Sequence, residues 1–174
     1  MIDVHVLTHE GTRQDWLDQC LASLEDQPVN VFVVDNAGRS VGEGRARGYA
    51  MGLSPFVAYV DSDDYVLPGC FGACLEGLRA HRAVVTLERV EYEDGTFHPA
   101  TRKGHSVAVY RRNDIAPLLP AMAMTPHSSD MRARALLRPT QLSVVGYVWR
   151  VYQSGGDHRL LTPEVYKQES AAWP

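Results

Sequence analysis

Short apolar runs and helical patterns alternate through the first half of the chain. Residues 2–8 read as a strand. Residues 13–26 set Trp16, Leu17, Cys20, Leu21 and Leu24 at helical spacing, and Gln27-Pro28 closes that helix. Val29–Val34 is an unbroken apolar run, the pattern expected of a strand buried on both faces. Residues 43–53 can hold a short helix, and Phe56–Val60 is another apolar run. Pro68 stands where it can open a helix reaching about His81. Strand, helix, strand, helix, strand at this spacing predicts a parallel sheet with helices on both faces.

The second half has a different texture. Ala83–Glu93 alternates apolar and charged residues up to Asp94-Gly95, a hairpin signal. Ser106–Tyr110 and Leu142–Tyr152 read as further strands. Residues 113–122 and 129–137 read as helices joined by a loop around Thr125-Pro126-His127. The tail from Ser154 has a Gly-Gly pair and little periodicity. No repeat is visible, nor any linker long enough to separate a pair of domains, so residues 1–174 are expected to form one domain.

Composition narrows the setting. A chain of 174 residues buries enough surface for a core without disulfide staples. No run of about 18 apolar residues exists to span a membrane. Met1-Ile2-Asp3-Val4-His5-Val6 lacks the basic-then-apolar order of a secretory signal. Three cysteines, Cys20, Cys70 and Cys74, without a CxxC, fit reduced thiols, so a cytoplasmic protein is expected. Cys70, Cys74 and His81 have weak zinc-ligand spacing, and packing of small apolar thiols is the favoured reading. Seventeen Lys+Arg against 21 Asp+Glu leave a net charge of −4, without the overall footprint of a nonspecific nucleic-acid binder. The local clusters Arg102-Lys103, Arg111-Arg112 and Arg132, Arg134, Arg138 read first as solvated faces, with a phosphate-bearing ligand as the alternative.

Chemistry concentrates where the apolar runs end. In an open parallel sheet, ligands bind beyond the carboxyl ends of the strands. Three runs end there in polar residues: Thr8-His9-Glu10, Asp35-Asn36 and Asp61-Ser62-Asp63-Asp64. Two like charges about 4 Å apart repel by about 4 kcal/mol at an effective dielectric of about 20. A divalent cation removes that cost, and Mg²⁺ or Mn²⁺ takes one or two carboxylates with water and phosphate oxygens filling its shell. Asp61 and Asp63 project to the same side of an extended chain. This DxDD after a buried strand therefore points to a metal–diphosphate site.

Here the sequence resembles the family 2 glycosyltransferases, which have the GT-A fold. The residues that carry the resemblance come in the family's order: Val4-His5-Val6-Leu7-Thr8-His9, then Leu17–Leu24 and Gln27, Val33-Val34-Asp35-Asn36, Ala46-Arg47-Gly48, Ala58-Tyr59-Val60-Asp61-Ser62-Asp63-Asp64 and Pro68-Gly69. It is good to about residue 80 and looser beyond, through Tyr110-Arg111-Arg112 and Asp130. The fold implied is a Rossmann-like three-layer α/β/α sandwich, a mostly parallel sheet with a small mixed acceptor-side half. Residues 1–80 would form the nucleotide-sugar half and 81–174 the acceptor half.

The resemblance also implies roles. Asp35 would accept a hydrogen bond from the base of a sugar nucleotide, in a pocket with Thr8, His9, Glu10 and Asn36. Arg47 would face the nucleotide. Asp61, beside Ser62, would contact ribose or a metal-bound water, and Asp63 would ligate Mn²⁺ or Mg²⁺ bridging the diphosphate. His158, in Gly155-Gly156-Asp157-His158, would close the metal shell. Asp130, opening the helix Met131–Leu137, would be the base, with a helix cap as its alternative role. Three positions and one run depart from the family pattern: Leu7, Gly48, Ser129 and the Asp35-Asn36-Ala37-Gly38 run.

The expectation is therefore a metal-dependent, inverting glycosyltransferase using a UDP-linked donor. Its acceptor is a glycan, a small molecule or, on the arginine clusters alone, hydroxymethylated DNA. A nucleotidyltransferase is disfavoured because Thr8–Arg13 offers only Gly11 and Arg13 where a Gly-rich basic loop belongs. A non-catalytic sugar-nucleotide or glycan-binding module is the other alternative, prompted by Ser129 and the short chain.

Overall fold

The computed structural model describes residues 1–101 and 105–151. In chain order the elements are β1 (Ile2–Thr8), α1 (Gln14–Ala22), β2 (Val29–Asp35), α2 (Val41–Ala50), β3 (Phe56–Asp61), β4 (Tyr65–Val66) and α3 (Cys70–Gly77). There follow β5 (Ala83–Tyr92), β6 (Ala108–Arg111), α4 (Arg112–Ile115), a 3-10 turn (Ala116–Leu118), α5 (Leu119–Ala123), α6 (Ser129–Leu137) and β7 (Thr140–Val151). The strands form one sheet in the order β2-β1-β3-β6-β5-β7-β4. β1 pairs in parallel with β2 and β3, whereas β6 runs antiparallel to β3 and β5. β7 is parallel to β5 and antiparallel to β4. The three-layer α/β architecture is present, with a mixed half that is four strands wide.

Side-chain alternation along the strands sorts the interior into two cores. Ile2, Val4, Val6, Ala58 and Val60 face α1 and α3 with Cys20, Leu24, Phe71 and Cys74. Val57, Tyr59, Ala108 and Tyr110 face the other way, with Tyr49 of α2, Ile115, Met122 and Ala133. The three cysteines are free and buried, so they pack as small apolar groups.

β2 departs from the expected double burial. It is one of the two terminal strands, and Val31 and Val33 are 39% and 49% exposed while Val34 is buried. An apolar run records strand propensity, but a terminal strand has a neighbour on one side only. The helix expected over 113–122 is broken into three short pieces, since Pro117 and Pro120 each remove an amide donor from the helical ladder.

α2 positions the site. Its N-terminus carries a capping box in which the Glu43 N–H donates to Ser40 Oγ at 3.2 Å and the Ser40 N–H donates to Glu43 Oε2 at 3.0 Å. The helix then lies against β1 with no room for a side chain at position 48. A Cβ there would stand 2.3 Å from the His5 ring. On its other flank a Cβ at Gly42 would stand 2.0 Å from the Thr125 carbonyl oxygen. The helix is thus wedged between the sheet and the loop that leads to α6.

Candidate active site

Because β1, β2 and β3 run the same way, their ends leave the sheet at one edge, with Thr8 level with Asp35 and Leu7 level with Asp61. Thr8 is half-buried there, and His9 and Glu10 stand exposed on the loop that follows. The His9 N–H donates to Thr12 Oγ1 at 2.8 Å, and His9 Nδ1 accepts the Gly11 N–H at 3.0 Å. Asp35 is exposed and its carboxylate accepts the Ala37 N–H at 3.0 Å. Asn36 turns inward, its amide donating to the carbonyls of Arg39 at 3.4 Å and Ser40 at 3.0 Å. It shapes the entry to α2, and a Cβ on Gly44 would strike it.

The acidic loop divides its carboxylates between two tasks. Asp64 is buried, accepting the Tyr147 hydroxyl on Oδ2 at 2.7 Å and the Arg150 N–H on Oδ1 at 2.8 Å. Arg150 also donates to the Asp63 carbonyl at 2.9 Å and Glu91 Oε2 at 3.3 Å, tying the loop to β5 and β7. Burial, then the neighbouring Asp63 and Asp61, holds the Asp64 carboxyl well above the usual range. Asp61 is partly exposed and paired with Arg45. Burial lifts its carboxyl, Arg45 opposes that, and Asp63 and Asp130 reinforce it, leaving it above the ordinary value. Asp63 and Ser62 line an open cleft of about 160 Å³ with His9, Thr12, Trp16 and Glu93.

Arg45 is the residue that motif spacing alone does not single out. Its side chain is 4% exposed, pairs with Asp61, and lies 3.6 Å from the centre of the Tyr59 ring. Burial opposes its charge, but Asp61, Tyr59 and Asp130 more than offset this and hold its proton above the usual value. Among the described residues its Nε and Nη1 have no hydrogen-bond partner. Arg47 sits on the exposed face of α2 and donates to the Asp35 carbonyl at 3.0 Å. Helical spacing contained the signal. Gly42, Arg45, Ala46 and Tyr49 recur at i, i+3, i+4 and i+7 on the buried face, and Glu43, Arg47 and Ala50 fall opposite.

Asp130 reaches the same edge from another element. It lies in the first turn of α6, half-buried, and Oδ2 accepts the Tyr59 hydroxyl at 2.7 Å. The helix takes no side-chain cap from Ser128, so capping does not occupy the start of α6. Ser129 is buried and its hydroxyl has no partner among the described residues.

The acidic loop has the chemistry of a hard-cation site. Asp61 and Asp63 supply carboxylate oxygens close enough for the charge of one to raise the proton affinity of the other. Asp64 is turned away from them, buried and engaged on both oxygens by Tyr147 and Arg150. Among the described residues no three His, Cys, Asp or Glu side chains converge on one point. One or two carboxylates with the rest of the shell left to water and phosphate is the pattern of Mg²⁺ or Mn²⁺ at a diphosphate. His158 lies outside the described residues.

Of the basic clusters in the second half, Arg102-Lys103 lies outside the described residues, and the others are largely turned inward. Arg112 donates to Asp3 at 2.6 Å and to the Tyr49, Met51 and Ser54 carbonyls, at the end of the sheet opposite the acidic loop. Arg111 donates to the Leu78 carbonyl at 3.1 Å, Arg132 to Ser128 Oγ at 3.1 Å and Arg134 to the Ser106 carbonyl at 2.6 Å. Arg138 alone of these five is exposed. Among the described residues these five form neither a solvated basic face nor a phosphate-reading patch, because Arg111, Arg112 and Arg134 are spent mainly on backbone carbonyls.

Sheet order, layers and an acidic turn at the end of β3 define the class: the chain has the GT-A glycosyltransferase fold. No family model and no curated protein matches the sequence. Solved structures do. The chain is similar to S. aureus TarS 1–349 in complex with UDP-GlcNAc, at TM-score 0.67 and 16% identity over 98% of this chain and 66% of that one. It is similar to the same protein in complex with UDP, at TM-score 0.69 and 17% identity over 98% and 63%. GalNAc-T7 with UDP, GalNAc and Mn²⁺ gives TM-score 0.63 and 12% identity over 97% and 47%. The chain thus spans less than two thirds of each of these proteins, and at such identities the likeness speaks for the fold. Among the described residues no helix is long and apolar enough to cross a membrane.

Proposed function

We propose that this chain is a glycosyltransferase that moves a sugar from a UDP-linked donor to an acceptor hydroxyl, with Asp130 as its base. The observation that carries the reading is the chain of contacts from Asp61 through Arg45 and the Tyr59 ring to Asp130, with Asp63 two residues further along the loop that follows β3. The complexes of TarS with UDP-GlcNAc and of GalNAc-T7 with UDP and Mn²⁺ support the choice of donor and cation.

In this reading Asp35 and Thr8 receive the nucleoside, with His9, Glu10 and Arg47 at its border. Asp61 and Asp63, with His158 from outside the described residues, would hold Mn²⁺ or Mg²⁺, which would neutralise charge gathering on the departing diphosphate. Asp130 takes the proton of an acceptor hydroxyl that attacks C1 from the face opposite the diphosphate, so the reaction inverts. Such a base contributes about 10²–10⁴-fold in rate. The internal use of Arg111, Arg112, Arg132 and Arg134 favours a small molecule or glycan as acceptor over duplex DNA.

The test is UDP release from UDP-GlcNAc, UDP-glucose, UDP-galactose and UDP-GalNAc with Mn²⁺. Asp130→Asn should slow release by about 10²–10⁴-fold and leave UDP affinity intact. Full turnover by that variant removes Asp130 from the reaction. No release from any donor, together with no stabilisation by UDP and Mn²⁺, overturns the reading.

A further inference from the structure

Tyr59 is 4% exposed and belongs to the aromatic core of the α2 face, with Tyr49 and Tyr110. A phenylalanine would fill the same space, so burial alone does not require its oxygen. That hydroxyl has a definite aim: it donates to Asp130 Oδ2 at 2.7 Å, across 71 residues of chain. The ring is held on its flanks, with the Arg45 guanidinium 3.6 Å from its centre and Tyr49 edge-on at 6.4 Å. Arg45 is itself fixed by Asp61. Strand alternation sends Tyr59 and Asp61 to the same face, so one guanidinium braces both.

We infer that Tyr59 is a positioning residue for Asp130. Its hydroxyl occupies one carboxylate oxygen, Oδ2, and so turns Oδ1 toward the acceptor. Asp130 stands at the start of a nine-residue helix reached by a loop, where an untethered carboxylate would sample several rotamers. A misplacement of about 1 Å costs a reaction about 10²-fold. The brace also links the base to the donor side, because the residue that pins the Tyr59 ring is the one paired with Asp61. This inference rests on the proposed function and deepens it.

The experiment compares wild type, Tyr59→Phe, Asp130→Asn and the double variant in UDP release from UDP-GlcNAc with Mn²⁺, and from the other three UDP-sugars. Tyr59→Phe should lower kcat by about 10- to 100-fold, the worth of a hydrogen bond to a charged group, with the KM for donor unchanged within about twofold. A thermal melt close to wild type excludes unfolding as the cause. The double variant should be no slower than Asp130→Asn, within about threefold, because two residues acting as one unit are not additive. Wild-type turnover in Tyr59→Phe beside a slow Asp130→Asn overturns the inference and spares the base. Losses that multiply in the double variant also overturn it, since Tyr59 would then act elsewhere. Wild-type turnover in Asp130→Asn overturns the base itself, and silence with every donor, together with no stabilisation by UDP and Mn²⁺, overturns the proposed function and this inference with it.

Discussion

Arg45 reaches Asp61 from a side chain that is 4% exposed, whereas Arg47, two residues further along the same helix, donates to the carbonyl of Asp35 on the surface. Two arginines in one turn of α2 therefore serve opposite ends of the edge where β2 and β3 stop.

The pair predicts unequal costs. Arg45→Met leaves Asp61 without a counter-charge beside Asp63 and Asp64, and breaking a buried pair by removing one partner costs about 3 kcal/mol or more. Arg47→Met, at an exposed position, should stay within about 0.5 kcal/mol of wild type. Urea denaturation of the two variants measures the contrast, and equal losses would contradict it.

Glycine matters at position 48 of α2 and not at position 72 of α3. Gly48→Ala sets a Cβ 2.3 Å from the His5 ring and must push the helix off β1. It should cost about 2 kcal/mol despite alanine's better helix propensity. Gly72→Ala, inside α3 with nothing within 4 Å of the new Cβ, should gain up to about 1 kcal/mol. Thermal melts of the two variants should therefore move in opposite directions.

His5 gives stability a defined pH dependence. It is fully buried beside Tyr49, and burial followed by the charge of Arg45 holds its pKa well below 6.5. The unfolded chain takes up this proton below about pH 6.5 and the folded chain does not, so stability is lost as pH falls through that value. The loss approaches 1.4 kcal/mol per pH unit for one group. Asp61 and Asp64, with raised pKa values, act in the opposite sense, since their contribution is present at low pH and lost as pH rises. Comparing wild type with His5→Gln between pH 7.5 and 5.5 isolates the histidine, and the variant should lack this part of the decline.

Cation binding should depend on Asp63 and hardly on Asp64. A ligand at 100 times its dissociation constant adds about 2.7 kcal/mol to apparent stability. UDP with Mn²⁺ should raise the melting temperature of wild type above that seen with UDP alone. Asp63→Asn should erase the manganese increment. Asp64→Asn should lower intrinsic stability, because it disturbs the bonds from Tyr147 and Arg150, and keep the increment. Persistence of the increment in Asp63→Asn would remove that residue from the metal.

Much of the fold was legible because its signals are local. The apolar runs at 2–8, 29–34 and 56–60 became β1, β2 and β3 to within a residue or two, and Ser129–Leu137 became α6. Pro117 and Pro120 announce the breaks after α4 in the same local way, although periodicity alone suggested one helix. The ends of β1, β2 and β3 were found for a similar reason, since parallel strands must deliver their last residues to one edge.

Sequence by itself determined the alternation of strands and helices, the acidic turn after β3 and the small residues of α2, because propensity, turn chemistry and period act over a few neighbouring residues. Tertiary structure alone decided that β2 is an edge strand with Val31 and Val33 in solvent, that Arg45 and not Arg47 answers Asp61, that the arginines from 111 to 134 turn inward, and that Tyr59 meets Asp130. These depend on which elements become neighbours across tens of residues, and a charge or hydroxyl finds its partner only after packing has chosen the face it must leave water to meet.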